Sequence, residues 1–133
     1  MAKPAEHVGM GALPYEGGVT FRVWAPHADE VSVIGTFNDW TAAAHPLASE
    51  KNGYWSADVS EAAIGDEYKF VIVNGAQTLE RIDPYAREVT NSVGNAVIYD
   101  PAFDWGAVDY ATPAWNDMVI YEMHIGTFND EPG

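Results

Sequence analysis

The chain has 133 residues, 47% of them apolar and 20% charged, which is the make-up of one ordinary globular domain and not of a disordered segment. Six Lys and Arg against twenty Asp and Glu leave a net charge of −14. That balance excludes nucleic acids and anionic membranes, which are held through basic side chains, and leaves a neutral ligand such as a sugar, a protein surface or a cation.

Residues 1–18 carry Gly9, Gly11, Pro14, Gly17 and Gly18 and read as a leader with turns. Val19 to Trp24 then alternates strictly, with Val19, Phe21 and Val23 on one face, the period of a half-buried strand. Pro26 stops it, and Glu30 to Ile34 forms a second strand that ends at Gly35. Phe37-Asn38-Asp39-Trp40 follows as a tight loop. Asn52-Gly53 is the strongest hairpin signal, with the alternating run Tyr54 to Val59 behind it. Glu67 to Val73 is the next strand, with Tyr68, Phe70 and Ile72 facing one way. Asn74-Gly75 turns the chain back through Thr78 to Ile82, Asp83-Pro84 breaks the run, and Ala96 to Tyr99 is the last strand. No window of 11 or more residues keeps a 3.6-residue period. Short strands separated by turn signals predict an all-β, antiparallel sandwich over residues 19–101.

Residues 102–117 change character and read as a linker holding Trp105, Pro113 and Trp115. Within residues 118–133, Met118 to Ile125 is a near-continuous apolar run, the pattern of a strand buried on both faces as in parallel sheets. Little follows it, so the chain reads as cut from something longer. Left without a partner, this run is expected to be disordered, to add to a sheet edge, or to be exchanged with a neighbouring copy, giving self-association through the C-terminal strand.

Three stretches carry a family resemblance. Thr20-Phe21-Arg22-Val23-Trp24-Ala25-Pro26-His27-Ala28, Gly35-Thr36-Phe37-Asn38-Asp39-Trp40 and Tyr68-Lys69-Phe70 are similar to carbohydrate-binding module family 48, and Asp83-Pro84-Tyr85-Ala86-Arg87 resembles its closing segment. Val119 to Phe128 resembles the first barrel strand of glycoside hydrolase family 13. The resemblance implies an immunoglobulin-like β-sandwich at the N-terminus of an α-amylase-superfamily enzyme, most like a branching enzyme or a trehalohydrolase. It further implies that the catalytic carboxylates lie on later barrel strands. The chain itself is then expected to have no catalytic residues, and its partner is the missing barrel of the same polypeptide.

Candidate ligand contacts follow from that likeness. In glycogen-binding relatives the Trp of the Phe37–Trp40 motif stacks on sugar rings, because a flat indole matches the apolar face of a pyranose. The Lys of Tyr68-Lys69-Phe70 bonds hydroxyls, and alternation turns Lys69 away from the core. Asn95 matches a third binding position with a shift of one residue. The chain departs from the pattern after Asn74-Gly75, where Ala76-Gln77-Thr78-Leu79 holds no aromatic in place of a second Trp. One platform fewer forfeits roughly tenfold in affinity, so α-glucan binding through Trp40, Lys69 and Asn95 is expected to be weak or absent. Trp24, Trp55, Phe21, Phe70 and Tyr54 are read as core or sheet-face packing. Trp105 and Trp115 are read as surfaces that meet the barrel.

Four histidines lie far apart and there is no cysteine, so neither a metal site nor a cofactor is expected. Residues 1–10 show no signal-peptide pattern and no stretch reaches the length of a membrane span, which predicts a cytoplasmic protein.

Overall fold

The computed structural model describes residues 3–107 and 110–124. The chain divides into two compact units, Met1–Ala102 and Phe103–Gly133. The first is the sandwich. Its described residues form nine strands, β1 (Gly11–Tyr15), β2 (Gly18–Trp24), β3 (Glu30–Gly35), β4 (Ala48–Ser49), β5 (Tyr54–Val59), β6 (Glu67–Asn74), β7 (Gln77–Arg81), β8 (Glu88–Val89) and β9 (Ala96–Val97). One sheet, here sheet A, runs β1-β2-β5-β4. The other, sheet B, runs β3-β6-β9-β8, with β7 also paired to β6. Every pairing between these strands is antiparallel.

The period-two residues meet between the sheets. Val19, Phe21 and Val23 of β2 and Ala57 and Val59 of β5 face Val31 and Val33 of β3 and Tyr68 and Phe70 of β6. Phe21 sits at the centre, fully buried, with its ring 5.1 Å from Tyr68 and 6.5 Å from Phe70, both edge-on. Edge-on rings match the positive rim of one quadrupole to the negative face of the next. Tyr68 carries a hydroxyl into this core, and Asp83 accepts its hydrogen bond at 2.5 Å. Burial pushes the Asp83 carboxyl up, and burial together with the Asp83 charge pushes the Tyr68 phenol up. Asp83 also accepts from the Tyr85 amide at 2.8 Å, so the Asp83-Pro84-Tyr85-Ala86 segment is a turn folded around its own buried carboxylate.

Several elements differ from their sequence reading. Residues 1–18 are not only a leader, because Gly11–Tyr15 forms the edge strand β1 in register with β2. Pro14 lies within it, and an edge is where a strand tolerates proline. Residues 5–8 cross the outer face of sheet A, where the amides of Ala5 and Glu6 donate to Ser56 Oγ and Asp58 Oδ2 at 3.0 and 3.1 Å. Strand β8 was not anticipated; its two residues pair with β9 and have no alternating pattern to betray them. Both Asn-Gly turns form, with Gly53 at φ +88° and Gly75 at φ +56°.

In the second unit, Trp115–Asp117 makes one short turn of 3-10 helix, and residues 118–124 form no strand. Val119, Ile120 and Tyr121 are exposed, and among the described residues this run pairs with no strand. The physical reason is plain: such a strand needs a neighbour on each side and a layer on each face. Ile125 and the rest of that motif lie outside the described residues.

Candidate functional site

The Gly35–Trp40 motif is a sheet-switching turn in which each residue has a task. A Cβ on Gly35 would come within 2.4 Å of the Glu67 carbonyl, so only glycine lets β3 end this close to β6. Phe37 turns inward and stacks on Phe21 at 5.5 Å. The Asn38 carboxamide accepts from the Gly35 amide at 2.9 Å and donates to the Val33 carbonyl at 3.0 Å, bracing the bend from inside. Asp39 and Trp40 both take the left-handed conformation, at φ 51° and 57°. The chain then returns along β3, where His45 O accepts from Val33 and Leu47 donates to Val31 O, before crossing to sheet A. Trp40 ends the bend, its amide donating to the Gly35 carbonyl at 3.0 Å and its side chain 38% exposed.

Lys69 lies on the outer face of sheet B. It pairs with Ile34, one residue before Gly35, and Gly35 itself pairs with Tyr68. Glu67 points to the same side as Lys69, two residues away along β6. Its carboxylate accepts a 2.6 Å hydrogen bond from Asn95 Nδ2, and Asn95 immediately precedes β9, whose Ala96 pairs with Tyr68. The register therefore sets Lys69 and Asn95 together on the outer face of sheet B, and the Gly35 carbonyl ties the Trp40 backbone to the adjoining end of β3. Glu67 is the member that the sequence reading missed, although alternation from Lys69 points to it.

This rim offers one indole face, one ammonium and one amide already bonded to a carboxylate. Those groups can stack on and hydrogen-bond a neutral polyol. They do not make an acid and base poised across a cleft. At the position lacking the second aromatic, Thr78 stands opposite Val73 on the same outer face. Among the described residues no group of three or more His, Asp or Glu gathers as a metal ion would require.

Three comparisons bear on what such a domain is. The sequence profile of "Carbohydrate-binding module 48 (Isoamylase N-terminal domain)" matches residues 9–86. The 1,4-alpha-glucan branching enzyme of Corynebacterium jeikeium is 40% identical over 128 residues, covering 90% of this chain and 18% of that enzyme. The branching enzyme of Salinibacter ruber is 37% identical over 135 residues, covering 92% of this chain and 22% of the relative. Among solved structures, ligand-free PulA from Klebsiella pneumoniae superposes with a TM-score of 0.60 at 27% identity, over 70% of this chain and 10% of that one. The pullulanase of Paenibacillus barengoltzii, solved with maltohexaose and alpha-cyclodextrin, gives 0.61 at 28% identity, over 72% of this chain and 15% of its own. The chain thus spans about a fifth of the length of the branching enzymes it matches.

Proposed function

The chain belongs to the carbohydrate-binding module 48 family, and from that premise we propose that it is the non-catalytic N-terminal accessory module of an α-amylase-superfamily enzyme acting on α-glucans. Its main task in this reading is to pack on the catalytic barrel and orient it. The observation that carries the reading is the mismatch in coverage: branching enzymes align with nine-tenths of this chain and leave most of their own length unmatched. The likeness of Val119 to Phe128 to a first barrel strand supports the same order of parts.

A second reading makes the chain an autonomous, weak α-glucan binder using Trp40 and Lys69, with Asn95 as a third contact. The placing of Lys69 and Asn95 together on the outer face of sheet B, with the Trp40 backbone tied to the adjoining end of β3, favours it. A cytoplasmic location is part of the proposal, supported by a composition without cysteine that suits a reducing compartment. No described helix is long and apolar enough to cross a membrane.

The test of the main reading is complementation. The chain is mixed with the Salinibacter ruber branching enzyme shortened by the part that matches it, and association is followed by calorimetry while branching is followed by iodine staining. Association with a rise in the thermal stability of the shortened enzyme is the expected result. No association, with the shortened enzyme as stable and active alone, overturns the proposal.

A further inference from the structure

The other outer face of the sandwich carries a feature that the family likeness does not assign. On sheet A, Thr20, Arg22 and Trp24 of β2 point outward, and Trp24 pairs directly with Tyr54 of β5. Directly opposed residues hold their Cβ atoms about 5 Å apart, so the two side chains leave the sheet from neighbouring positions. Trp24 is 59% exposed, well beyond the core or sheet-face packing expected of it. Its ring does not swing freely: a Cβ on Gly53 would come within 3.0 Å of the indole Nε1 and of Pro26, which places the indole over the Asn52-Gly53 turn. Among the described residues the Nε1–H has no acceptor.

Beside the rings lies a fixed polar pair. The Arg22 guanidinium stacks over the Tyr54 ring at 4.1 Å and donates twice to Glu50, at 2.8 and 2.7 Å. This bidentate bond holds the Glu50 carboxyl below the usual carboxylate range. A surface cleft of about 350 Å³ opens over the pair, walled on one side by the N-terminal segment at His7. Rings and cleft share Arg22, so together they form one track along the face of sheet A.

We propose that this track, from the Arg22–Glu50 cleft to the Trp24–Tyr54 pair, is an α-glucan-binding site separate from the Trp40 face. The exposed Trp24 indole can stack on the apolar face of a glucose unit, while the half-buried Tyr54 ring beneath the Arg22 guanidinium backs the polar end of the track. The unpaired indole N–H and the charged groups at the cleft supply donors and acceptors for hydroxyls. A protein partner fits this surface poorly. A stable interface covers about 800 Å² per partner and is depleted of charge at its centre, whereas an ion pair sits in this track and its one exposed ring, Trp24, matches a single sugar. A neutral ligand also avoids the repulsion that a net charge of −14 imposes on anions.

The choice of an α-glucan rests on the accessory-module reading. A chain that associates with the barrel, yet binds glucan no differently after Trp24→Ala, defeats this inference alone.

The experiment is calorimetric titration of the chain with maltoheptaose at millimolar concentration, repeated on Trp24→Ala, Trp24→Tyr and Trp40→Ala. Saturable binding that weakens tenfold or more in Trp24→Ala, survives in part in Trp24→Tyr and falls less in Trp40→Ala than in Trp24→Ala is the expected pattern. Trp24 is exposed, so its replacement leaves the fold intact, which an unchanged melting temperature verifies. Loss in Trp40→Ala with retention in Trp24→Ala overturns the proposal, as does the absence of binding to the unaltered chain.

Discussion

The two outer faces of the sandwich are built from strands with the same alternation and prepared for different work. On sheet B, the family's ligand residues include a single indole, and the polar groups there are partly spent on one another, Asn95 on Glu67. On sheet A, Arg22 and Trp24 belong to a stretch that carries the family likeness, which gives them no ligand role, yet an exposed indole and a bidentate ion pair lie on one face. What the difference teaches is that a stretch can carry the family likeness on both faces while only one of them has been given a ligand role. The Gly35–Trp40 motif is accounted for to a large degree by the turn it builds. Gly35, Phe37 and Asn38 are each needed there whether or not a sugar ever meets Trp40.

The comparison breaks outright if the layer between the faces is removed. Phe21→Ala empties the centre of the core and should cost about 3–5 kcal/mol, read by chemical denaturation, with both faces lost together. Next come the two glycines that anchor one face each. Gly35→Ala forces a methyl against the Glu67 carbonyl and should destabilise by about 1–3 kcal/mol or more while disturbing only the Trp40 rim. Gly53→Ala meets both a positive φ of +88° and a 3.0 Å approach to Trp24. It should cost about 1–3 kcal/mol and weaken maltoheptaose binding without moving amide signals around Trp40.

Acid and base separate the faces from the core by sign. Arg22 holds the Glu50 carboxyl low, so its stabilising contribution is present above the ordinary carboxylate range and is lost as pH falls through the lowered value. Glu50→Gln should make the acid limb of a stability–pH curve shallower. Asp83 shifts the other way: burial raises its carboxyl, so its contribution is present at low pH and declines as pH rises through the raised value. Asp83→Asn keeps an acceptor for Tyr68 and should remove that decline. The smallest effect is expected from Trp40→Ala, within about 0.5 kcal/mol by thermal melting.

Much of this was legible in the residues. The period-two runs at Val19–Trp24 and Glu67–Val73 fix which side chains face inward, because a slip of one residue would expose Phe21 and Phe70. Both Asn-Gly pairs gave their turns. Strand β1 was obscured by its own composition, since Gly11 and Pro14 signal turns unless an edge position is known. Of the candidate site, the outward direction of Lys69 followed from alternation, but its nearness to Asn95 and to the end of β3 depends on the register of β3, β6 and β9, which no local pattern encodes. Trp24 was misjudged for a similar reason. An aromatic on a strand is read as packing, and its exposure is decided by what covers that sheet, here residues 5–8 at one end only.

The most direct measurement is the mapping of maltoheptaose onto the backbone amides of the labelled chain by NMR. Shifts concentrated at residues 22–24 and 50–55, with smaller ones at 35–40, 67–69 and 94–96, are the result predicted for a glucan track on sheet A. Shifts confined to the second set would return the ligand to the Trp40 face and contradict it.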